Sequence, residues 1–307
     1  MPKEPKWTTA DIPPQDGKLV VVTGATGGLG YETALALAAA GATVILAGRN
    51  ETKGKEAMEK IYAAVPNAKI AFGLVDLGSL ASVRSFATKF LSHHQVLDLL
   101  VNNAGIMTPP KRVTTSDGFE MQFGTNHLSH FALTALLLPA LKRSAAPRVV
   151  TVSSGAAQTG KIHFDDLQWD KQKYCAWLSY SQSKLANLLF TFELQRKSDM
   201  AGWGILSTAA HPGYARTDLI ANGPGEPNRI MKALQPLVSQ SAAEGALPTL
   251  FAAVSPEAKP AGFYSPQGTL EMKGPPGPAN VPSAAKDVEV AKKLWDVSCE
   301  LTGVTWE

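Results

Sequence analysis

Leu19-Val-Val-Val-Thr-Gly-Ala-Thr-Gly-Gly-Leu-Gly30 decides the fold. Its first five residues are a short, mostly β-branched run that reads as a buried strand, and Gly24 ends it. A helical pattern follows at once, with Ala34, Leu35, Leu37 and Ala38 in phase and Gly41 as the stop. Ala42-Thr-Val-Ile-Leu-Ala47 is then a second buried strand. Strand, glycine turn, helix and strand make a βαβ unit, with parallel strands and a right-handed crossover. Gly24, Gly28 and Gly30, with Thr26 and Leu29 between them, let the backbone pass close to a pyrophosphate seated on the helix N-terminus. A tight strand–helix turn that binds nothing is the alternative these residues alone leave open.

Where the second strand ends, the chain reads Gly48-Arg49-Asn50. A cofactor with a free ribose 2′-hydroxyl usually meets Asp or Glu there; a guanidinium instead grips a 2′-phosphate. Arg49, with Lys53 behind it, therefore favours NADP(H) over NAD(H), against the plainer reading of a solvated loop arginine. The alternation continues with a helix over 54–65 and a strand over 70–75 that ends at Asp76-Leu77. A helix over 80–90 and a strand over 96–101 follow, the strand ending in Asn102-Asn-Ala-Gly105. A long apolar helix over 120–141 carries Asn126, His127 and His130, and Arg148–Val152 is a strand ending in Ser153-Ser154. A strand over 203–207 precedes His211-Pro-Gly-Tyr-Ala-Arg-Thr217. This is an α/β chain: a Rossmann-type doubly wound parallel sheet flanked by helices. Ligands of such sheets bind beyond the carboxyl ends of the strands, where all these Gly, Asn and Ser clusters fall.

The composition narrows the function classes. The chain has 307 residues, 45% of them hydrophobic and 18% charged, with a net charge of +3 and no dense Lys/Arg run. That excludes a nucleic-acid footprint and suits a globular domain with a sizeable core. Two cysteines, Cys175 and Cys299, form no metal-type cluster, so no metal site is expected. The proline-rich, charged start lacks the apolar core of a signal peptide, and no apolar run reaches membrane-span length. A cytoplasmic location is the expectation. Residues 1–16 are read as an N-terminal extension and 17–307 as one domain.

Tyr180-Ser-Gln-Ser-Lys184 supplies chemistry. Four residues apart on a helix, the phenol and the ammonium point into one cleft. A lysine cation draws a tyrosine pKa down from about 10, toward general acid/base use.

Taken together, the chain resembles the short-chain dehydrogenase/reductase family over roughly residues 17–264. The motifs are Thr23-Gly-Ala-Thr-Gly-Gly-Leu-Gly30, Asp76-Leu77, Asn102-Asn-Ala-Gly105, Asn126, Ser153-Ser154, Tyr180-x-x-x-Lys184 and Pro212-Gly213 with Thr217. Asn126-His-Leu-Ser-His-Phe131, Lys161-Ile-His-Phe-Asp-Asp-Leu167 and Ser183-Lys-Leu-Ala-Asn187 are similar to the retinol-dehydrogenase-like branch and related bacterial oxidoreductases. The resemblance implies about seven parallel strands. It implies hydride transfer between NADP(H) and a carbonyl or alcohol, of lipophilic character in that branch. It assigns Tyr180 as acid or base, and Ser154, rather than Ser153, as the hydrogen-bond donor to the substrate oxygen. Lys184 would tune Tyr180 and hold the nicotinamide ribose, and Asn126 would hold a relay water. Asn103, Ala104, Gly105, Asp76, Leu77, Asn50, Pro212, Gly213 and Thr217 join the cofactor set.

The spacing from Ser154 to Tyr180 is wider than in many members, and the insertion 161–177 reads as a loop beside the substrate mouth. Residues 218–238 mix breakers with apolar residues and read as a substrate lid. His127 and His130 read as packing or capping groups. Gly274-Pro-Pro-Gly-Pro278 reads as an irregular loop, and 288–301 as a terminal helix with Trp295 inward. Leu185, Leu188, Leu189 and Phe192 form an apolar stripe that is either core or, as the resemblance adds, a homodimer interface. Two other functions fit the fold. One is a dinucleotide sensor or scaffold without catalysis, which would not need Asn126, Ser154, Tyr180 and Lys184 together. The other is a nucleotide-sugar epimerase or dehydratase, whose glycine spacing Gly27 also satisfies.

Overall fold

The computed structural model describes residues 6–215 and 239–307. The strands are β1 (Leu19–Thr23), β2 (Thr43–Gly48), β3 (Lys69–Leu74), β4 (Leu99–Asn102), β5 (Arg148–Val152), β6 (Leu206–Ala210), β7 (Phe263–Pro266) and β8 (Pro276–Pro278). They form one sheet in the order β3-β2-β1-β4-β5-β6-β7-β8. β1 to β7 are parallel, the seven expected, and β8 adds a short antiparallel edge. The segment read as an irregular proline loop thus contains a strand. Proline cannot donate to a ladder, so such a strand is tolerated only at an edge, where this one sits. Trp203 precedes β6 rather than opening it, because Trp203 and Gly204 complete the turn after the preceding helix.

The helices are α1 (Gly28–Ala39), α2 (Glu51–Ala64), α3 (Leu80–His93), α4 (Met121–Phe123), α5 (Ser129–Leu141), α6 (Ala176–Ala201), α7 (Ala242–Val254) and α8 (Val288–Thr302). A π-helical turn, Gly124–Leu128, joins α4 to α5 and carries Asn126. The sheet is covered on both faces, so its inner strands β1, β2 and β4 are nearly continuous buried runs rather than alternating ones. In β1, Val20 and Val22 enter the layer of α1 and α7, while Val21 faces the layer of α3 and α5. The N-terminal segment joins the first of these layers: Trp7 packs edge-on against Phe251 of α7, ring centres 5.4 Å apart.

Order reverses between β1 and β4, so their carboxyl ends open a crevice at the switch point. The α6 stripe is core. Leu185, Leu188, Leu189 and Phe192 are buried in one cluster with Ala291 and Leu294 of α8, which lies over α6 within the same chain. Trp295 is 5% exposed and faces inward.

Candidate active site

Thr23 closes β1, and the glycine loop follows it. Gly24 and Gly28 have φ of +66° and +52°, the left-handed region that favours glycine. A methyl at Gly30 would run into the Gly24 carbonyl oxygen and come 2.5 Å from Asn103 Nδ2, so loop, helix and the end of β4 meet with no room for a side chain at position 30. Asn103 Nδ2 donates to the Thr23 carbonyl at 2.7 Å, and the Asn103 and Ala104 N–H groups donate to Thr23 Oγ1 at 2.9 and 3.0 Å. Gly27 caps α1 with no side chain, leaving the first-turn N–H groups for an oxygen anion. These features fit a dinucleotide pyrophosphate.

At the end of β2, a methyl on Gly48 would lie 3.2 Å from Thr26 Cγ2, so the end of this strand packs directly against the glycine loop. Arg49 and Asn50, both exposed, follow Gly48. Among the described residues Arg49 has no ion-pair partner, whereas Asn50 Oδ1 caps α2 by accepting from Lys53 N at 3.0 Å. Asp76 Oδ1 accepts from Gly78 N at 2.9 Å, and Leu77 is anchored in the core. Leu29 packs beside Gly245 of α7. The Pro212–Gly213 turn follows β6, with Gly213 N donating to His211 Nδ1 at 3.0 Å. Thr217 and the lid assigned to 218–238 lie outside the described residues.

The catalytic candidates converge. α6 is buried continuously from Ser179 to Gln195, which holds Tyr180 and Lys184 rigidly. Ser153 and Ser154 leave β5 in opposite senses. Ser153 is 2% exposed and donates to the Lys184 carbonyl at 2.8 Å, pinning α6 to the sheet. Ser154 is half-buried and hydrogen-bonds the Tyr180 side chain. Lys184 Nζ donates to the Val152 carbonyl at 3.0 Å and lies 5.7 Å from the Tyr180 ring centre. A methyl on Gly105 would be 3.5 Å from Lys184 Nζ and 3.2 Å from Asn126 Oδ1, which brings the end of β4 to the same point. Asn126 uses its whole amide: Oδ1 accepts from Ile106 N at 2.8 Å, and Nδ2 donates to the Ile106 carbonyl and Ser183 Oγ, both at 3.0 Å. Ser183 in turn donates to the Tyr180 carbonyl at 2.8 Å.

Electrostatics correct one expectation. Burial pushes Tyr180 up to about 12, and the Ser154 hydrogen bond only partly offsets this. Lys184, itself buried, is pulled down to about 8 by the same desolvation. The cation that was to acidify Tyr180 sits against the Val152 carbonyl, and the low-polarity surroundings outweigh it.

His127 and His130 do not converge on a metal: His127 Nε2 pairs with Ser298 Oγ at 3.0 Å, and His130 turns toward Thr23. Burial lowers them to about 3 and about 4, so both are neutral. Gln122, fully buried, is a site-supporting residue that the sequence analysis did not single out. Its amide accepts from Thr108 N at 2.7 Å and donates to the Ala176 carbonyl at 2.9 Å, joining the loop after β4 to the start of α6. A polar residue in an otherwise apolar helical phase was its only signal.

A family model described as short chain dehydrogenase matches residues 18–225. Mouse retinol dehydrogenase 12 is 41% identical over 98% of this chain and 90% of that protein. Human polyprenol dehydrogenase is 39% identical over 95% of this chain and 87% of its own length. A crystal structure of an uncharacterised protein from Mycobacterium paratuberculosis, 42% identical, superposes with a TM-score of 0.82 over 99% of this chain and 100% of that one. The chain therefore belongs to the short-chain dehydrogenase family and is an NAD(P)-dependent oxidoreductase acting on CH–OH and C=O groups.

Proposed function

We propose that the protein is an NADP(H)-dependent oxidoreductase in which Tyr180 exchanges the proton with a carbonyl or alcohol oxygen of a lipophilic substrate. The observation that carries this reading is the meeting of Tyr180, Ser154 and Lys184 beside Gly105, at the crevice where the glycine loop also opens. The bound nicotinamide supplies or takes the hydride. Gly24, Thr26, Gly28, Leu29 and Gly30 would hold the pyrophosphate side, with Asp76, Leu77, Asn103, Ala104, Gly105, Pro212 and Gly213 along its length. Arg49 would hold a 2′-phosphate; its exposed position at the end of β2, where Gly48 packs against Thr26 of the glycine loop, supports NADP(H) over NAD(H).

With a pKa pushed up to about 12, Tyr180 rests as the acid, the form that carbonyl reduction uses. It gives its Oη proton to the oxygen that gains charge, while the Ser154 hydroxyl donates a hydrogen bond to that same oxygen. Lys184 has three N–H donors and spends one on Val152, leaving two for the ribose hydroxyls and for returning a proton to Tyr180. Asn126 holds Ile106 and Ser183, and through Ser183 the Tyr180 backbone.

The lipophilic part of the reading is supported by Trp177. It is 49% exposed on the helix face of Tyr180, their ring centres 6.0 Å apart, so an apolar chain entering the site would meet it. The relatives named for retinol and polyprenol point the same way. A cytoplasmic location is part of this reading and is supported by the free thiols of Cys175 and Cys299. Among the described residues no helix is long and apolar enough to cross a membrane. A homodimer would have to use a surface other than the α6 stripe, which α8 covers.

The test is nicotinamide absorbance with NADPH or NADH against a panel of short and long aldehydes, ketones and alcohols. Turnover of long apolar substrates with NADPH is expected. Tight cofactor binding with no turnover across the panel would refute the reading.

A further inference from the structure

His130 and Thr23 take no part in the chemistry above, yet they lie buried between its two halves, with exposures of 1% and 0%. Thr23 Oγ1 accepts two backbone N–H bonds, from Asn103 and Ala104, so both its lone pairs are used and only its proton is free. The nearest acceptor for that proton is His130 Nε2 at 2.9 Å; the Val101 carbonyl is farther, at 3.3 Å. Across the ring, His130 Nδ1 is 3.0 Å from the Asn126 carbonyl, which can only accept. One assignment satisfies both contacts: Nδ1 carries the ring proton and Nε2 accepts. Desolvation, with Lys184 nearby, keeps the imidazole neutral and so preserves that pattern. The Asn126 carbonyl belongs to the π-helical turn, a local distortion of a kind often placed at functional sites.

We propose that His130 is a positioning residue that ties the seating of the dinucleotide loop, through Thr23, to the placing of Asn126 and hence of Ser183 and Tyr180. The proposal rests on the reading of Asn126 and Tyr180 given above. It makes the single Nδ1–H tautomer of His130 the joint between cofactor binding and proton transfer.

Two substitutions separate the halves of this joint. His130→Asn keeps a donor near the Nδ1 position for the Asn126 carbonyl and withdraws the acceptor from Thr23. His130→Gln keeps an acceptor near the Nε2 position for Thr23 and withdraws the donor from Asn126. The dissociation constant for NADPH is measured by titration, turnover at saturating NADPH on the best aldehyde of the panel, and stability by thermal melting. Loss of one buried hydrogen bond predicts about a tenfold weaker NADPH affinity for His130→Asn, with turnover at saturation kept. For His130→Gln it predicts about a tenfold fall in turnover, with NADPH affinity kept. Both parameters falling together in both variants, in step with melting temperature, would overturn the proposal, as would no change in either.

Nitrogen NMR of labelled histidine in the cofactor-free protein reads the tautomer directly. Nδ1 protonated at neutral pH is the expected result, and Nε2 protonated contradicts the proposal. Tyr180→Phe keeps the two claims apart. If it retains turnover, the underlying reading fails; if it loses turnover while the two His130 variants behave alike, only the joint fails.

Discussion

Ser153 and Ser154 are adjacent, chemically identical and structurally opposite, which makes them a matched pair for mutation. Ser153→Ala removes a buried hydrogen bond of 2.8 Å to the Lys184 carbonyl. That carbonyl also lies within the α6 helix, so the net cost is about 1 kcal/mol. Ser154→Ala removes the hydroxyl that caps the turn Gly155–Thr159, accepting from Ala156 N at 3.2 Å, also worth about 1 kcal/mol. The two variants should therefore unfold at similar denaturant concentrations. Their turnover should differ sharply. Ser154 is the hydroxyl that touches the Tyr180 side chain, and losing one preorganised donor to a developing oxyanion costs roughly 100- to 1000-fold in kcat. Ser153→Ala, working only through the helix backbone, should stay within a few-fold of the parent. The assay is nicotinamide absorbance at saturating NADPH, with denaturant melts of both variants alongside. Equal loss of turnover in the two variants, or full turnover in Ser154→Ala, would refute this division of labour.

Two further predictions follow from the charges. Arg49→Asp should lower the ratio of kcat/KM for NADPH over NADH by about ten- to a hundredfold, the worth of a charge-assisted contact; an unchanged ratio means that Arg49 does not read the 2′-phosphate. Lys184 has a folded pKa of about 8, below the ordinary lysine value of 10.5, so between these values the unfolded chain binds more protons. Stability of the cofactor-free protein should rise with pH through that window and be lost as pH falls through about 8, with a slope of at most about 1.4 kcal/mol per pH unit. Lys184→Met should lack this component, so denaturant melts of the two proteins at pH values either side of 8 should show a changing gap. A constant gap contradicts it.

Most of the site was legible because its residues terminate strands. Gly24, Asn102, Ser154 and Pro212 each follow a short apolar run, and the topology of a parallel sheet brings such ends together whatever lies between them. Tyr180 and Lys184 were legible from helical spacing. What spacing could not give was environment. The acidity of Tyr180 depends on how deeply it is buried, and that depth is set by tertiary packing that helical spacing does not encode. For the same reason the Leu185–Phe192 stripe could be core or interface until α8 was seen to cover it. β8 was hidden because Pro276 and Pro278 carry no strand signal; its pairing is a property of the β7 edge. His130 looked like a packing histidine because its partners, Thr23 and the Asn126 carbonyl, are a tertiary contact and a backbone atom.

The most direct test of the central claim is turnover by Tyr180→Phe at saturating NADPH, with NADPH affinity measured on the same preparation. The substitution removes one oxygen from a buried ring and leaves the glycine loop, Arg49 and Lys184 in place. Loss of the proton donor predicts a fall of roughly 100- to 10,000-fold in kcat with unchanged NADPH affinity. Turnover within a few-fold of the parent would contradict the account.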